Sequence, residues 1–167
     1  FATDPEGRLK AFSEAVVLLP GAGKERKLWP VERFRELARR IGPRALAVWG
    51  PGERHLAEAI GSRMAPATDL RELAWLLRHA SLVIGGDTGP LHLAAALGTK
   101  VIGLYGPTDP RRNGPWGQFD HCIDRFRSTK WMGSISVEEV VQQIERVEAQ
   151  LIRSWPESSR SSRSPAI

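Results

Sequence analysis

Leu82-Val-Ile-Gly-Gly-Asp-Thr-Gly-Pro-Leu-His-Leu-Ala-Ala-Ala-Leu-Gly-Thr-Lys-Val-Ile-Gly-Leu-Tyr105 decides the fold class of this chain. Leu82 to Ile84 is a short apolar run, and the glycines between Gly85 and Gly89 break it. Leu91 to Leu97 is apolar and free of breakers, so it reads as a helix, and Val101 to Tyr105 reads as a second buried strand. Strands joined through a helix by short loops run parallel, because parallel pairing requires a crossover.

The same unit recurs upstream. Ala15 to Leu19 is a strand ended by Pro20-Gly-Ala-Gly23, and Pro30 opens a helix whose apolar stripe is Phe34, Leu37, Ala38 and Ile41, stopped by Gly42-Pro43. Arg44 to Trp49 is the next strand, Gly50-Pro-Gly52 a turn, and Leu56, Ala59 and Ile60 mark a short helix ending near Gly61. Asp69 and Glu72 form a capping box before the stripe Leu70, Leu73, Ala74 and Leu77. Downstream, Gly106 to about Ser134 reads as one long irregular connection, and connections of this length are usually functional. Ser136 and Glu139 then cap a last helix with the stripe Val140, Val141, Ile144, Val147 and Leu151, and Glu157 to Ser164 is polar and low in complexity. The expected architecture is α/β, a Rossmann-like parallel sheet with helices on both faces.

Composition sets the bounds. At 167 residues one core should bury about 70% of the surface that the unfolded chain exposes, so no staple is needed. The single Cys122 excludes an internal disulfide framework and a cysteine-based zinc site, and four scattered His suggest no metal cluster. No run approaches the roughly 20 apolar residues of a membrane span, and a reducing cytoplasm is the simplest setting. The net charge of +5 suits anionic partners without choosing among them.

Ligands of open parallel sheets bind beyond the carboxyl ends of the strands, which directs attention to Pro20–Lys27, Gly50–Glu53, Gly85–Pro90 and Tyr105–Asn113. In Gly85–His92 the glycines allow close backbone approach, and the amides opening the next helix favour an anion such as phosphate. Asp87 beside such a cradle is placed to accept hydrogen bonds from sugar hydroxyls, a combination that suggests a nucleotide-sugar. The loop equally fits a plain strand-to-helix turn in which Asp87 or Thr88 is only an N-cap. His92 on that helix fits a structural hydrogen-bonding role as well as a functional one. One of Lys24, Arg26 and Lys27 could meet a diphosphate, and the others read as a solvated loop. Glu53, opening a helix, fits both a ribose acceptor and a complement to the helix dipole. Trp29, Trp49 and Trp75 read as packing residues, whereas Trp116 and Trp131 fall in the irregular connection, where a surface or domain interface would use them.

Three motifs in order, Pro20-Gly-Ala-Gly-Lys-Glu-Arg-Lys-Leu-Trp-Pro30, Gly86-Asp-Thr-Gly-Pro-Leu-His-Leu-Ala-Ala-Ala96 and Tyr105-Gly-Pro-Thr-Asp-Pro110, resemble the C-terminal domain of the heptosyltransferases, glycosyltransferase family nine, over roughly Ala15 to Val147. The resemblance implies the C-terminal half of a GT-B glycosyltransferase, whose two Rossmann-like domains face a cleft. It implies donor binding by Lys27, Glu53, Thr68, Asp87, Thr88, Gly89 and His92. Lys27 would serve the phosphate and sugar side, Glu53 the ribose, and the backbone at Thr68 the adenine. The amides of Thr88 and Gly89 would cradle the diphosphate, with Asp87 on the sugar hydroxyls. Gly23 stands where some members carry a hydroxyl residue, so a side-chain phosphate contact is not expected there.

The chemistry so implied is inverting transfer of heptose from ADP-heptose to the lipopolysaccharide inner core, without metal or other cofactor. The family draws its base from an N-terminal domain, so no catalytic residue is expected in this chain, which by itself would bind donor without transferring it. The expected organisation is a linker from that domain over 1–14, the nucleotide-sugar-binding domain over 15–153 and a polar basic tail over 154–167. Expected partners are the donor, the core acceptor through the N-terminal domain and anionic lipid at the inner face of the cytoplasmic membrane, with no nucleic acid. Two other readings compete. One is a non-catalytic nucleotide- or sugar-binding module. The other is an α/β-hydrolase-like enzyme with Asp87 as nucleophile, which would need a late His, and His121 is the only one available after His92.

Overall fold

The computed structural model describes residues 5–154. Six parallel strands, β1 Val16–Leu19, β2 Ala45–Ala47, β3 Arg63–Met64, β4 Leu82–Gly86, β5 Val101–Tyr105 and β6 Ile123–Asp124, form one sheet in the order β3-β2-β1-β4-β5-β6. The chain winds outward from β1 to β3, then crosses back to lay β4 on the other side of β1, with Leu18 opposite both Ala47 and Ile84. The order reverses between β1 and β4, so the loops leaving those two strands diverge and open a crevice at their carboxyl ends.

Burial follows the two-residue period of the strands. Val16, Leu18, Ala45, Ala47, Ile84, Ile102 and Leu104 face one layer, made by α2 Val31–Ile41, α3 Arg54–Ile60 and α7 Val137–Ser154. Val17, Leu19, Leu46, Val83, Val101 and Tyr105 face the other, made by α1 Pro5–Leu9, α4 Leu70–His79 and α5 Gly89–Ala96. Each Leu or Ile so buried stabilises the fold by about 1.5–3 kcal/mol, which lets strands of two and three residues persist within the sheet.

The local signals act where they stand. Asp69 and Glu72 make both bonds of a capping box at α4, and Ser136 and Glu139 make the same pair ahead of α7. Gly61 closes α3 in the left-handed region at φ 74°. Trp29 is buried and donates to the Ile135 carbonyl at 3.0 Å, and Trp49 donates to the Ala65 carbonyl at 2.9 Å. Trp116 and Trp131 are 86% and 64% exposed.

Three expectations need correction. The stretch after Tyr105 is not one irregular connection: it contains a turn of helix, α6 Pro110–Asn113, and the edge strand β6. Strand β3 also went unread, because two residues are too few to show alternation. The residues before Ala15, expected as a linker, are helical over Pro5–Leu9 and pack on this domain, with Leu9 in the core and Arg8 paired to Glu72 of α4. The polar stretch from Glu157 to Ser164 lies outside the described residues. No helix among the described residues is long and apolar enough to cross a membrane.

Candidate functional site

A cavity of about 390 Å³ lies in the crevice, bounded by the loops after β1, β2 and β4 and by Leu73 of α4. The loop after β1 ends in a short 3-10 turn, Glu25–Lys27, that carries Lys27 over the end of β4. The approach is close: a Cβ on Gly86 would stand 3.0 Å from the Lys27 carbonyl oxygen. A side chain there would make the neighbouring backbone give by a few tenths of an ångström, and beside this approach Lys27 and Asp87, sixty residues apart in sequence, meet at 2.6 Å from Nζ to Oδ2.

Asp87 is the hub of the site. Its Oδ1 lies 3.1 Å from His92 Nε2, one turn into α5, and its side chain is only 10% exposed. Burial by itself would raise its proton affinity. The hydrogen bonds from Lys27 and His92, the Lys27 charge and the neighbouring Thr108 hydroxyl outweigh that effect and hold the carboxyl below its ordinary value of 3.8. Asp87 is thus a half-buried anion facing a cation, and it does not cap the helix. Thr88 is the N-cap residue, but its hydroxyl makes no capping bond and is buried without a partner. Thr88, Gly89 and Pro90 line the cavity where α5 begins, and the first turn of a helix leaves its N–H groups without intrahelical partners.

Glu53 is the N-cap residue of α3 and lines the same cavity. Its Oε2 accepts from the Gly50 amide at 3.1 Å, and its carboxylate lies across Gly21, where any Cβ would collide with it. Glu53 thus lies close over the loop after β1 while bonded within the loop after β2. Val48, Trp49 and Leu73 add apolar surface to the wall. The cavity lining therefore combines Lys24, Lys27 and the opening of α5 with a carboxylate and an apolar part.

Lys27, Glu53, Asp87, Thr88 and Gly89 are thus brought together in one wall, with His92 behind Asp87. Thr68 precedes α4 and is not part of that wall; Leu73, a helical turn further on, reaches it instead. Of the four loops at the carboxyl ends, Tyr105–Asn113 alone contributes no lining residue. Trp49 and Leu73 were read only as packing residues. The position of Trp49 at the carboxyl end of β2 is the signal that marks it, whereas nothing in the stripe of α4 distinguishes Leu73. His121, which a nucleophilic Asp87 would need, is buried elsewhere with its two ring nitrogens 3.2 Å from Gln118 Oε1 and 3.1 Å from Gln150 Oε1. Among the described residues no three His, Cys, Asp or Glu side chains converge as metal ligands.

The model of glycosyltransferase family 9 (heptosyltransferase) matches residues 3–139. This chain belongs to glycosyltransferase family 9. Within the family it is 36% identical over 111 residues to lipopolysaccharide heptosyltransferase 1 of Salmonella typhimurium, a match covering 61% of this chain and 35% of that protein. Among solved structures, E. coli heptosyltransferase WaaC with ADP is similar at a TM-score of 0.72 and 28% identity, over 85% of this chain and 48% of that one. The same enzyme with ADP-2-deoxy-2-fluoro heptose is similar at a TM-score of 0.69, over 81% and 44%. The chain thus spans about a third of the length of this curated family member and under half of the solved ones.

Proposed function

We propose that this chain is the donor-binding half of an inverting glycosyltransferase that moves heptose from ADP-heptose to the lipopolysaccharide inner core. The observation that carries the reading is the cavity at the β1/β4 switch point, whose lining combines the cations Lys24 and Lys27 and the opening of α5 with the carboxylate of Glu53 and the apolar side chains of Val48, Trp49 and Leu73. A nucleoside diphosphate has the matching parts. Its base fits against Trp49 and Leu73, its ribose hydroxyls donate to Glu53, and its diphosphate meets Lys27 and the amides of Thr88 and Gly89. Solved family members carrying ADP and an ADP-heptose analogue support the same assignment.

In this reading an acceptor hydroxyl attacks the anomeric carbon while the C–O bond to the diphosphate breaks, and the negative charge that develops on the leaving ADP is stabilised by Lys27 and the helix amides. No metal or resident cofactor is called on for that work. The hydroxyl proton goes to a carboxylate base supplied from the acceptor side, outside this chain. Asp87 accepts from hydroxyls of the sugar, and the adenine rests on Trp49 and Leu73 rather than on the backbone at Thr68. The net charge of +5 favours contact with anionic lipid at the inner face of the cytoplasmic membrane.

Calorimetric titration of the chain with ADP-heptose, ADP and UDP tests the assignment. ADP and ADP-heptose should bind, and Lys27→Ala should weaken both by about tenfold to a hundredfold, the effect of losing a charge-assisted contact. Asp87→Ala should weaken ADP-heptose more than ADP, because only the former carries the sugar. Failure of every nucleotide to bind would remove the donor assignment.

A further inference from the structure

The two apolar residues against which the base is placed, Trp49 and Leu73, stand on different elements, and one short segment orients both. Residues 65–69 link β3 to α4. At the start of this link the Ala65 carbonyl accepts from the Trp49 indole nitrogen at 2.9 Å, which fixes the ring, and the Ala65 amide donates to the Ala47 carbonyl at 2.9 Å. At its end Asp69 and Glu72 exchange the capping-box bonds at 3.0 and 2.8 Å, which set the entry of α4 and so the place of Leu73, the next residue. Within the link only Thr68 and Asp69 carry polar side chains, so its middle has little of its own to hold it.

The tie comes from α1. Arg8 pairs through Nη1 with Glu72, and its Nη2 donates to the Ala67 carbonyl at 3.0 Å. One planar guanidinium therefore bridges the middle of the link and the first turn of the helix that follows, which the single ammonium of a lysine does not reproduce. Glu72 is only 2% exposed and its second oxygen is taken by the Asp69 amide, so without Arg8 a buried carboxylate would carry an uncompensated charge. The segment bearing Arg8 is itself anchored: Leu9 is fully buried, and Arg63 of β3 donates to the Ala11 carbonyl at 2.8 Å with its guanidinium 5.2 Å from the centre of the Phe12 ring. Resting on the donor assignment above, we infer that Arg8 is a positioning residue for the nucleobase. It lines no part of the cavity, and by tying residues 65–69 to α4 it keeps the Trp49 ring and the Leu73 side chain in place. Affinity for the base is thereby set from outside the site, whereas the diphosphate contacts of Lys27 are independent of it.

Two measurements test it, one of which needs no nucleotide. In hydrogen exchange followed by nuclear magnetic resonance, Arg8→Met should speed exchange of the Trp49 indole N–H about tenfold, while the Val83 amide, bonded to the Lys100 carbonyl at 3.0 Å within the sheet, should change less than about twofold. Arg8→Lys should fall between the two. Should Arg8→Met fold poorly, Arg8→Met with Glu72→Gln removes the unpaired charge, keeps the capping box and gives the same readout. In calorimetry Arg8→Met should weaken ADP about fivefold and inorganic pyrophosphate not at all, and it should add nothing in a Leu73→Ala background. Equal acceleration at Trp49 and Val83 would make Arg8 a stabiliser of the whole fold and overturn the inference, as would unchanged exchange at Trp49 or equal weakening of ADP and pyrophosphate. Absence of ADP binding to the unaltered chain would instead count against the donor assignment, leaving the exchange measurement to decide on Arg8.

Discussion

Asp87 shows how one residue turns a common loop into a charged site. The glycines around it are found in many α/β turns, and its character comes from Lys27 on one oxygen and His92 on the other. Because its carboxyl is held below the ordinary value, the folded state binds this proton less readily than the unfolded chain does. The stabilisation is therefore complete above the unfolded value and is lost as pH falls through the folded one. Asp87→Asn should lower Tm at neutral pH, and the gap from the unaltered chain should begin to shrink below about pH 4, the unperturbed carboxylate range, and close only once the pH falls below the lowered folded-state value. A gap of constant size down to strong acid would show that Lys27 does not interact with an ionised Asp87. None of this pairing was legible in the sequence, where Lys27 and Asp87 each read as one of several charges in separate loops. Only the sheet order brings them together.

At the scale of the elements, legibility tracks length. The two partners of each box, Asp69 with Glu72 and Ser136 with Glu139, are three residues apart, and both helices follow them. Removing the hydroxyl with Ser136→Ala should cost about 1 kcal/mol, readable as a lower urea midpoint with an unchanged slope. Strands β3 and β6 escaped because two residues carry no period, and their pairing is imposed by neighbours rather than by their own composition. Contacts between elements were equally hidden. Gly86→Ala would drive a methyl toward the Lys27 carbonyl, a backbone atom with little freedom to yield. It should weaken ADP binding at least as much as Lys27→Ala while leaving far-ultraviolet circular dichroism unchanged; unaltered affinity would mean that the 3-10 turn can shift without losing the site.

Across the whole molecule, the two apolar layers are separated by the sheet, and Cys122 sits beside the second of them. Burial, with the charge of Asp124 behind it, pushes its thiol up to about 12. At pH 8 the native thiolate is therefore scarce, and reaction with a disulfide reagent should be slow and should accelerate sharply through the unfolding transition, making this cysteine a reporter of global opening. Rapid stoichiometric labelling of the native chain would contradict that. Fold class and the order of the main elements were readable from the alternation of strand and helix alone. The cavity's composition was not, since it depends on which loops the reversal between β1 and β4 brings face to face.

That reversal also fixes when the site can come into being. The central pairing joins β1 to β4, with Val16 against Leu82, so the two halves of the crevice are synthesised far apart in time and the ion pair from Lys27 to Asp87 closes a loop of sixty residues. During synthesis β1, β2 and β3 emerge with their helices before the strand that completes the crevice exists, and closing so long a loop is entropically slow compared with forming local turns. A chain halted on the ribosome before α5 has left the exit tunnel would already hold half a sheet and yet have nowhere to seat a nucleotide. Nucleotide capture by successively longer nascent chains would thus mark the moment at which the two halves of the sheet first meet.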